Sequence, residues 1–392
     1  MIDTITIRTE DFVLYSDEHF TKAKYQELRG KYGMFGKHGT RYTTYPSACK
    51  KRGEYFPQVH IAERSRRKPQ GMVPTSRHLV IQVSLPKLLY GTNLFDVDER
   101  LLQTAVIKLS ERLREISVGI SPVQLLDATV VRVDYSKVLR ISESYRGACS
   151  ILHVLAKYDL KRSSDFNKIE FRNGRNGFYL KFFNSSQGLV IYDKFEEIVS
   201  NGTTNLEREI ARAYRSGKWK KGALRIELSL QKKQTVEAKL RPFFNGKTKD
   251  FTLAESVDTR ISQACLLKAF EDTYVKGFNG LVRLAGLKDA KLRRTVDTHT
   301  KNLKERAILY YLTRHTKTHG PKATTALLRA EYSPSTVQRY KRLTERVLEA
   351  SRASKDTSDA VSYLHKQLLK YRPVLPKGIE DVLRVADRSN DV

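Results

Sequence analysis

The chain has 392 residues, and its 72 Lys and Arg outnumber its 43 Asp and Glu, which gives a formal net charge of +29. At roughly 100 to 200 residues per domain this length predicts two or three domains, and a hydrophobic content of 40% excludes disorder throughout the chain. So large a surplus of positive charge exceeds what surface ion pairs can balance. It indicates a polyanionic partner, first of all nucleic acid, with solvated lysines as the alternative.

Three cysteines, Cys49, Cys149 and Cys265, lie far apart in the sequence. Their odd number and spacing predict neither a disulfide framework nor a CxxC zinc site, and they indicate a reducing compartment. The first residues include acids and no basic head followed by an apolar stretch, and no apolar run reaches the roughly 18 residues of a membrane span. We therefore expect a cytoplasmic protein without a membrane partner.

The first part of the chain predicts short strands separated by turns. The strand patterns cover residues 79–85, 128–135, 177–183, 188–194 and 223–230. Between them, residues 96–116 place Leu101, Ala105, Leu109 and Leu113 at helical spacing, and residues 139–157 give a weaker helical pattern. This order favours an α+β fold built on an antiparallel sheet over a series of βαβ units.

From about residue 255 the strand signals disappear, and helical periodicity continues to about residue 384. We therefore predict an α+β domain over residues 1–255 and a basic, all-α domain over residues 256–392. Residues 283–350 contain 16 Lys and Arg against 6 Asp and Glu. This concentration of positive charge is typical of a DNA-binding domain.

A helix-turn-helix pattern lies within this basic part. A helix over about 322–331 is followed by a break, after which Ser333 is a good N-cap and Pro334 suits the first helical position. On the second helix, the polar side chains are Gln338, Arg339, Lys341 and Arg342, and the side chains expected to pack inward are Val337, Tyr340, Leu343 and Val347. The alternative is an ordinary pair of basic helices that reads no DNA.

Three of the predicted strands place polar side chains on one face, because side chains alternate between the two faces of a strand. The outward residues are Arg132 and Asp134 in the strand over 128–135, Val190, Tyr192 and Lys194 in the strand over 188–194, and Arg225, Glu227 and Ser229 in the strand over 223–230. If these strands share one antiparallel sheet, its solvated face collects two carboxylates, two arginines, a tyrosine and a lysine.

This set of groups suits cleavage of a phosphodiester. Oxygen ligands can hold a hard divalent cation, cationic side chains can neutralise the phosphate, and a phenol oxygen can attack it. Because free tyrosine has a pKa near 10, it needs a neighbouring cation, and Lys194 is placed to help. The alternatives are a cross-strand ladder of ion pairs and, for Tyr192 with Lys194, an amphipathic surface pair; Tyr179 with Lys181 has the same spacing.

The connection between the strands over 177–183 and 188–194 decides whether the two tyrosines share a face. If the loop is residues 184–188, Phe183 faces Leu189, and Tyr179 shares its face with Asp193, opposite to Tyr192. This register favours a single active tyrosine. A slip of one residue would reverse that conclusion.

Five segments match the motifs of one known family. They are the opening Met1-Ile2-Asp3, VSLPKLLYGTNLF (83–95), VVRVDYS (130–136), LVIYDKFEE (189–197) and ALRIEL (223–228). In these segments the chain resembles the replication initiation proteins of filamentous phages, the gene II and gene X type, and residues 83–95 resemble that family's Ser-Pro-x-Lys-x-Leu-x-Gly-x-Asn-x-Phe signature. The basic SPSTVQRYKRL (333–343) is similar to the family's C-terminal region, and the hairpin over 178–194 also resembles plasmid rolling-circle initiators.

The resemblance implies a rolling-circle initiator: a metal-dependent endonuclease that nicks one strand of a double-stranded origin and later rejoins the displaced strand through a 5′-phosphotyrosine. By position, the resemblance implies Tyr192 as nucleophile, Lys194 and Glu197 in its motif, and Asp134 and Glu227 as ligands of Mg²⁺ or Mn²⁺ or as their supports. From the polar strand faces and the charge of the helices, we expect Arg132 and Arg225 to act in cleavage and Arg339, Lys341, Arg342 and Lys87 to contact nucleic acid. Single-stranded DNA and a host helicase and polymerase would be its other partners, in the cytoplasm of a bacterial host.

The better-known rolling-circle nucleases hold their metal with two histidines, whereas carboxylates would replace them here. Two other functions keep the same fold and charge. A repressor or antagonist of replication would bind the origin without cutting it, and a tyrosine-dependent recombinase or transposase would join two different DNA ends.

Overall fold

The computed structural model describes residues 1–23, 39–44, 52–68, 71–141, 168–174, 177–216, 222–275, 289–351 and 359–375. The strands are β1 (Ile2–Thr9), β2 (Val13–Leu14), β3 (Thr21–Ala23), β4 (Gly39–Thr44), β5 (Gln58–Lys68), β6 (Gly71–Ser84), β7 (Val118–Gly119), β8 (Thr129–Ile141), β9 (Lys168–Gly174), β10 (Gly177–Phe183), β11 (Gln187–Asp193) and β12 (Gly222–Leu230). The α-helices are α1 (Leu85–Tyr90), α2 (Leu102–Arg114), α3 (Pro122–Asp127), α4 (Lys194–Asn201), α5 (Asn205–Arg215), α6 (Lys233–Leu240), α7 (Leu253–Ser256), α8 (Thr259–Phe270), α9 (Asp289–His299), α10 (Leu303–Glu331), α11 (Pro334–Ser351) and α12 (Asp359–Lys370).

Ten of these strands form one sheet in the order β3-β4-β5-β6-β1-β8-β12-β11-β10-β9, and β2 pairs separately with β7. Neighbouring strands of the sheet run antiparallel. The expected α+β class is therefore confirmed. Each of the five predicted strand patterns coincides with an observed strand, because the regular alternation of apolar and polar residues suits a sheet with two different faces.

One face of the sheet builds the main core. Ile5 on β1, Val133 on β8 and Ile226 on β12 are buried in it. Helices α6, α8 and α12 contact β8 on this side, and apolar residues of α2 belong to the same core. Each of these helices contributes an apolar face, so burial against the sheet removes both surfaces from water.

Two helices that follow β11 cover part of the opposite face. Phe195 and Ile198 of α4 and Ile210 of α5 cluster with Val138 and Ala223, which lie beside Arg225 on β8 and β12. Sequence alternation predicts an open, solvated face here. The structure differs, because the apolar sides of α4 and α5 need a partner and these exposed apolar positions of the sheet supply it.

The core of the sheet includes residues on both sides of the predicted domain boundary at 255/256. Ile261, Leu266 and Phe270 of α8 and Leu364 and Leu368 of α12 are buried in it. Helices α9, α10 and α11 pack on one another around clusters of their own, whose buried members are Leu292, Val296, Leu309, Val347 and Leu348 in one and Leu312, Leu328 and Val337 in the other. In chain order, this three-helix unit stands between two helices that belong to the core of the sheet.

Of the two helical patterns in the first part of the chain, the one over 96–116 is reproduced with different bounds. The pattern over 96–116 becomes a short 3₁₀ turn followed by α2, and Asp98 caps the turn by accepting the N–H of Arg100. The weaker pattern over 139–157 begins inside β8, and its part from residue 142 lies outside the described residues.

The expected break before the second helix of the helix-turn-helix pattern is present. Helix α10 ends at Glu331 and α11 begins at Pro334, where the N–H of Val337 donates to the Ser333 carbonyl at 2.9 Å. The first helix, however, begins at Leu303 and not near residue 322. The predicted inward side of α11 is confirmed, since Val337 and Val347 are buried and Tyr340 and Leu343 pack partly buried beside them.

Candidate active site

Tyr192 lies near the end of β11 and projects from the sheet face that α4 and α5 partly cover. Its side chain is partly buried, and its hydroxyl donates a hydrogen bond to Oε2 of Glu227 on β12 at 3.4 Å. Nζ of Lys194 lies 5.6 Å from the centre of the Tyr192 ring. Burial raises the pKa of the Tyr192 phenol well above 10, while Arg225 acts in the opposite direction. The resting phenol is therefore protonated and donates to the Glu227 carboxylate.

The alternation pattern predicts Lys194 on the strand, but β11 ends at Asp193 and Lys194 is the first residue of α4. The Asp193 carboxylate accepts the N–H groups of Phe195 and Glu196 and so begins α4 at Lys194. The Lys194 side chain is fully buried, and its ammonium forms an ion pair with Glu197 one helical turn later. Burial lowers the pKa of Lys194, although Glu197 partly opposes this effect.

Arg225 is the centre of the site and is fully buried, although the pattern predicts an exposed side chain. Its Nη1 donates to the carbonyl of Asn93 at 2.6 Å, and its Nη2 donates to Oγ of Ser136 at 2.7 Å and lies 2.9 Å from Oδ1 of Asp3. Its Nε lies 3.5 Å from Oε2 of Glu227. These contacts join β1, β8, β12 and the segment after α1 around one charge.

Three acids surround this region, and we call Asp3, Asp134 and Glu227 the carboxylate cluster. Burial raises the pKa of Glu227 to about 7, and the neighbouring Asp134 and Asp3 add to the shift. Burial also raises the pKa of Asp134, and Arg132 only partly opposes it. In Asp3, by contrast, the effect of burial is outweighed by Arg225, so its pKa is lowered. The cluster thus combines one ionised carboxylate with two that hold protons more readily than usual.

Arg132 lies at the more exposed side of the carboxylate cluster. Its Nη2 is 2.7 Å from Oδ2 of Asp134, and its Nε is 3.3 Å from the other oxygen of the same carboxylate. Asp134 is directly opposite Ser229 on β12, so β8 and β12 present these groups on one face. About a third of the Arg132 side chain is exposed, at 31%. Solvent therefore reaches the Arg132 side chain, whereas those of Arg225 and Lys194 are fully buried.

The donor set is suited to a hard divalent cation. Asp134 raises the pKa of Glu227, and a cation between the two carboxylates would relieve this repulsion. Within the described ranges, no three His, Cys, Asp or Glu side chains are arranged to hold an ion by themselves. Mg²⁺ commonly binds through only one or two carboxylates together with waters and a phosphate of the substrate. Two carboxylates on neighbouring strands fit this mode of binding.

The segment over 83–95 supplies the rest of the site. Oγ of Ser84 donates to Oδ1 of Asp3 at 3.2 Å, and Nδ2 of Asn93 is 3.5 Å from the same oxygen. Between them, α1 ends at Tyr90 and is capped by Gly91, whose φ of 70° favours glycine. Lys87 on α1 is 2.9 Å from the buried Glu207 of α5, so this predicted contact to nucleic acid is engaged in an ion pair.

The observed register of β10 and β11 differs from the predicted one. Phe183 is opposite Gly188, and Tyr179 is directly opposite Tyr192, so the two tyrosines share a face. The connection is shorter than expected because Oδ1 of Asn184 accepts the N–H groups of Ser186 at 2.7 Å and of Gln187 at 2.8 Å, which closes a tight turn. The predicted separation of the tyrosines on opposite faces is therefore wrong.

The three predicted DNA contacts on α11 lie on its exposed side. Arg339, Lys341 and Arg342 are all exposed. The guanidinium of Arg339 forms an ion pair with Glu305 of α10. A hydrogen bond from Thr300 and the contact with Arg339 together lower the pKa of Glu305. The ion pair therefore ties α11 to α10 through one of the predicted DNA contacts.

Sequence analysis assigned no role to Asp3, Ser84, Asn93 and Ser136, which surround Arg225. The alternation pattern selects only residues on strands recognised as polar, and Asn93 contributes a backbone carbonyl. The signal that could have found them is the resemblance itself, since Asp3 belongs to its opening segment and Ser84 and Asn93 to its Gly-x-Asn-x-Phe segment.

Residues 45–249 match the family model that describes the N-terminal part of a phage replication-associated protein. No curated protein matches the chain. Among solved structures, the crystal structure of the di-domain ARO/CYC StfQ from the steffimycin biosynthetic pathway matches at 11% identity and a TM-score of 0.16, covering 59% of this chain and 75% of that chain. A TM-score this low supports no inference about fold or function. None of the helices in the described ranges is long and apolar enough to cross a membrane.

Proposed function

Because the chain belongs to the phage family of replication-associated proteins that this model describes, we propose that it initiates rolling-circle DNA replication as a site-specific nickase. Its substrate would be one strand of a double-stranded origin, and its product a free 3′-hydroxyl together with a 5′-phosphate esterified to the protein. The observation that carries this proposal is the hydrogen bond from the Tyr192 hydroxyl to Glu227, within a cluster of carboxylates and buried cations.

In the proposed cleavage, the phenol oxygen of Tyr192 attacks the scissile phosphorus. Glu227 accepts the phenol proton through Oε2, the oxygen to which the Tyr192 hydroxyl already donates. The 3′-oxygen of the preceding nucleotide leaves, and the 5′-phosphate stays on Tyr192. Rejoining reverses these steps: a 3′-hydroxyl attacks the phosphotyrosine, and the phenol leaves.

A divalent cation, Mg²⁺ or Mn²⁺, would be held by Asp134 and Glu227 and would polarise the scissile phosphate. Arg132 is in contact with Asp134 and partly exposed, which suits a side chain that turns to a phosphate oxygen when DNA binds. Arg225 is fully buried and would act without touching DNA: its charge keeps Asp3 ionised, and its Nε helps to position Glu227.

Lys194 lies near the Tyr192 ring and forms an ion pair with Glu197. In this buried setting its charge is poorly screened and stabilises the phenolate that develops during attack.

The helical unit α9–α11 would bind the duplex through Arg339, Lys341 and Arg342, and the sheet would receive the melted strand. A host helicase and polymerase would then extend the 3′-hydroxyl.

The test is a denaturing gel of the supercoiled genome that encodes this chain, after treatment with the wild type, Tyr192→Phe or Tyr214→Phe, in Mg²⁺, Mn²⁺ or EDTA. Tyr214 is the matched control, because its hydroxyl also contacts a carboxylate, Glu196, at 3.3 Å. We expect a nick with protein on its 5′ end that requires the metal and is lost only in Tyr192→Phe. Tight binding without any nick would instead favour the origin-binding repressor.

A further inference from the structure

Two tyrosines lie side by side on the sheet face that carries the carboxylate cluster. Tyr179 of β10 is paired directly with Tyr192 of β11. Directly opposed residues of an antiparallel pair project from the same face, with Cβ atoms roughly 4.5–5.5 Å apart. Both side chains are partly buried and partly exposed. Building on the nicking function above, we propose that Tyr179 is a second nucleophile, which cleaves DNA while Tyr192 is already esterified.

The need for a second nucleophile follows from the chemistry of a repeated cleavage. After the first nick, the Tyr192 oxygen is bonded to phosphorus and cannot attack again until a 3′-hydroxyl displaces it. Water could cut the second site, but hydrolysis would lose the bond that a phosphotyrosine keeps for rejoining. A phenol on the neighbouring strand can make the second cut and preserve that bond.

Each step of the proposed exchange balances. The Tyr179 oxygen forms a bond to the phosphorus of the second site and gives up its proton, and the 3′-oxygen of that site leaves and takes up a proton. The new 3′-hydroxyl then attacks the phosphorus on Tyr192. A 3′–5′ phosphodiester forms, the Tyr192 phenol leaves with a proton, and the protein now carries its 5′-phosphate on Tyr179.

The positions of the two tyrosines in the sheet indicate that Tyr192 cleaves first and Tyr179 second. Tyr192 is on the strand next to Glu227 and donates to it, whereas Tyr179 is one strand further away. Neighbouring strands are roughly 4.8 Å apart, so a second DNA segment beside the first would come within reach of Tyr179. Lys181, two residues along on the same strand and face, directs its ammonium to the Phe183 ring, 4.9 Å from the ring centre, so it does not repeat for Tyr179 the contact that Lys194 makes with the Tyr192 ring.

The two candidate nucleophiles fall on different tryptic peptides, residues 176–181 and 182–194, so each adduct can be identified by mass spectrometry. Protein is first loaded on a single-stranded origin oligonucleotide whose short upstream part dissociates after cleavage, which traps the first adduct. The loaded protein is then purified and given a second, differently labelled intact oligonucleotide. The readouts are the modified peptide and a joined strand that contains both labels.

For the wild type we expect the first adduct on Tyr192, and then a joined strand together with the second label on Tyr179. Tyr179→Phe should form the first adduct at the wild-type rate but slow the second cleavage by at least about 100-fold. Tyr214→Phe should behave as the wild type does. Since phenylalanine differs from tyrosine only by the hydroxyl, and since peptide mapping of the wild type needs no variant, misfolding of Tyr179→Phe would leave the test intact.

A second cleavage by loaded Tyr179→Phe at the wild-type rate would overturn the proposal, and so would a wild-type protein that carries both labels only on the peptide with Tyr192. Loss of the first adduct in a folded Tyr179→Phe would also overturn it, because Tyr179 would then serve the first cleavage. Absence of any adduct in the wild type would mean that the nickase function itself is wrong.

Discussion

The guanidinium of Arg225 lies 2.9 Å from Oδ1 of Asp3, so a buried ion pair joins β1, near the start of the chain, to β12. Asp3 is 6% exposed and Arg225 is fully buried. In such surroundings each charge depends on the other, because removing one partner leaves the remaining charge without compensation.

Asp3→Asn is therefore expected to reduce the free energy of unfolding by about 3–5 kcal/mol, the usual cost of breaking a buried pair. Urea denaturation at neutral pH measures this change. Asp258→Asn is the matched control: Asp258 pairs with Arg260, whose side chain is 90% exposed, and asparagine can still cap α8. Equal, small losses in the two variants would show that Arg225 does not depend on Asp3.

Glu227 should give the nicking rate a pH dependence. Its pKa is raised to about 7 in the absence of metal, and both a base and a metal ligand must be deprotonated, so at subsaturating metal the single-turnover rate should rise with pH and level off above 7. Glu227→Gln should lower the rate by roughly 10²–10⁴-fold and remove this rise. A variant that keeps the wild-type pH profile would assign the titration to another group.

The same shift predicts how stability depends on pH. The folded pKa of Glu227, about 7, lies above its ordinary value of 4.5, so between these values the folded state binds more protons than the unfolded state. The free energy of unfolding should then fall as pH rises through this window, by up to about 3 kcal/mol. Comparing urea denaturation of the wild type and Glu227→Gln at both ends of the window measures it, and parallel curves would contradict the shift.

Replacing Lys194 should impair nicking while leaving the stability of the fold nearly unchanged. Burial disfavours the charge of Lys194, and the Glu197 carboxylate that its replacement leaves behind is 29% exposed, so water can solvate it. Unlike Asp3→Asn, Lys194→Met should therefore change the free energy of unfolding by less than about 1 kcal/mol. Nicking should fall by about 10²–10³-fold, because the phenolate loses its neighbouring charge. Lys247→Met, in which the lost ion pair with Glu255 lies away from Tyr192, is the control. Full activity in Lys194→Met would remove Lys194 from the reaction.

The two halves of the proposed DNA site should respond differently to salt. Each phosphate contact contributes about −0.9 to the slope of log K against log salt concentration, so Arg342→Ala should flatten that slope by about one. Arg339→Ala should do the same if the residue leaves Glu305 to contact a phosphate. Arg132→Ala should impair cleavage more than binding. Binding isotherms on origin DNA at several salt concentrations measure the slopes; an unchanged slope in Arg342→Ala, or equal losses of binding and cleavage in Arg132→Ala, would refute this division.

The sequence alone determined the strands and the chemistry of one face. The five strand patterns are found as strands, and Arg225, Glu227 and Ser229 share a face because alternation along a strand is a local property of the backbone. The inward side of α11 followed from helical periodicity in the same way. Charge and composition likewise require no knowledge of the fold, and the family resemblance is confirmed by the match over residues 45–249.

Only the tertiary structure decided what surrounds these residues. Arg225 and Lys194 are buried because α4, α5 and the segment after α1 fold over the sheet, and contacts between distant segments are not encoded in local alternation. Asp3 reaches Arg225 only because β1 lies in the middle of the sheet. The pairing of Tyr179 with Tyr192 depends on a tight turn at Asn184, and since side chains alternate with every residue, a difference of one residue in this turn moves a tyrosine from one face to the other.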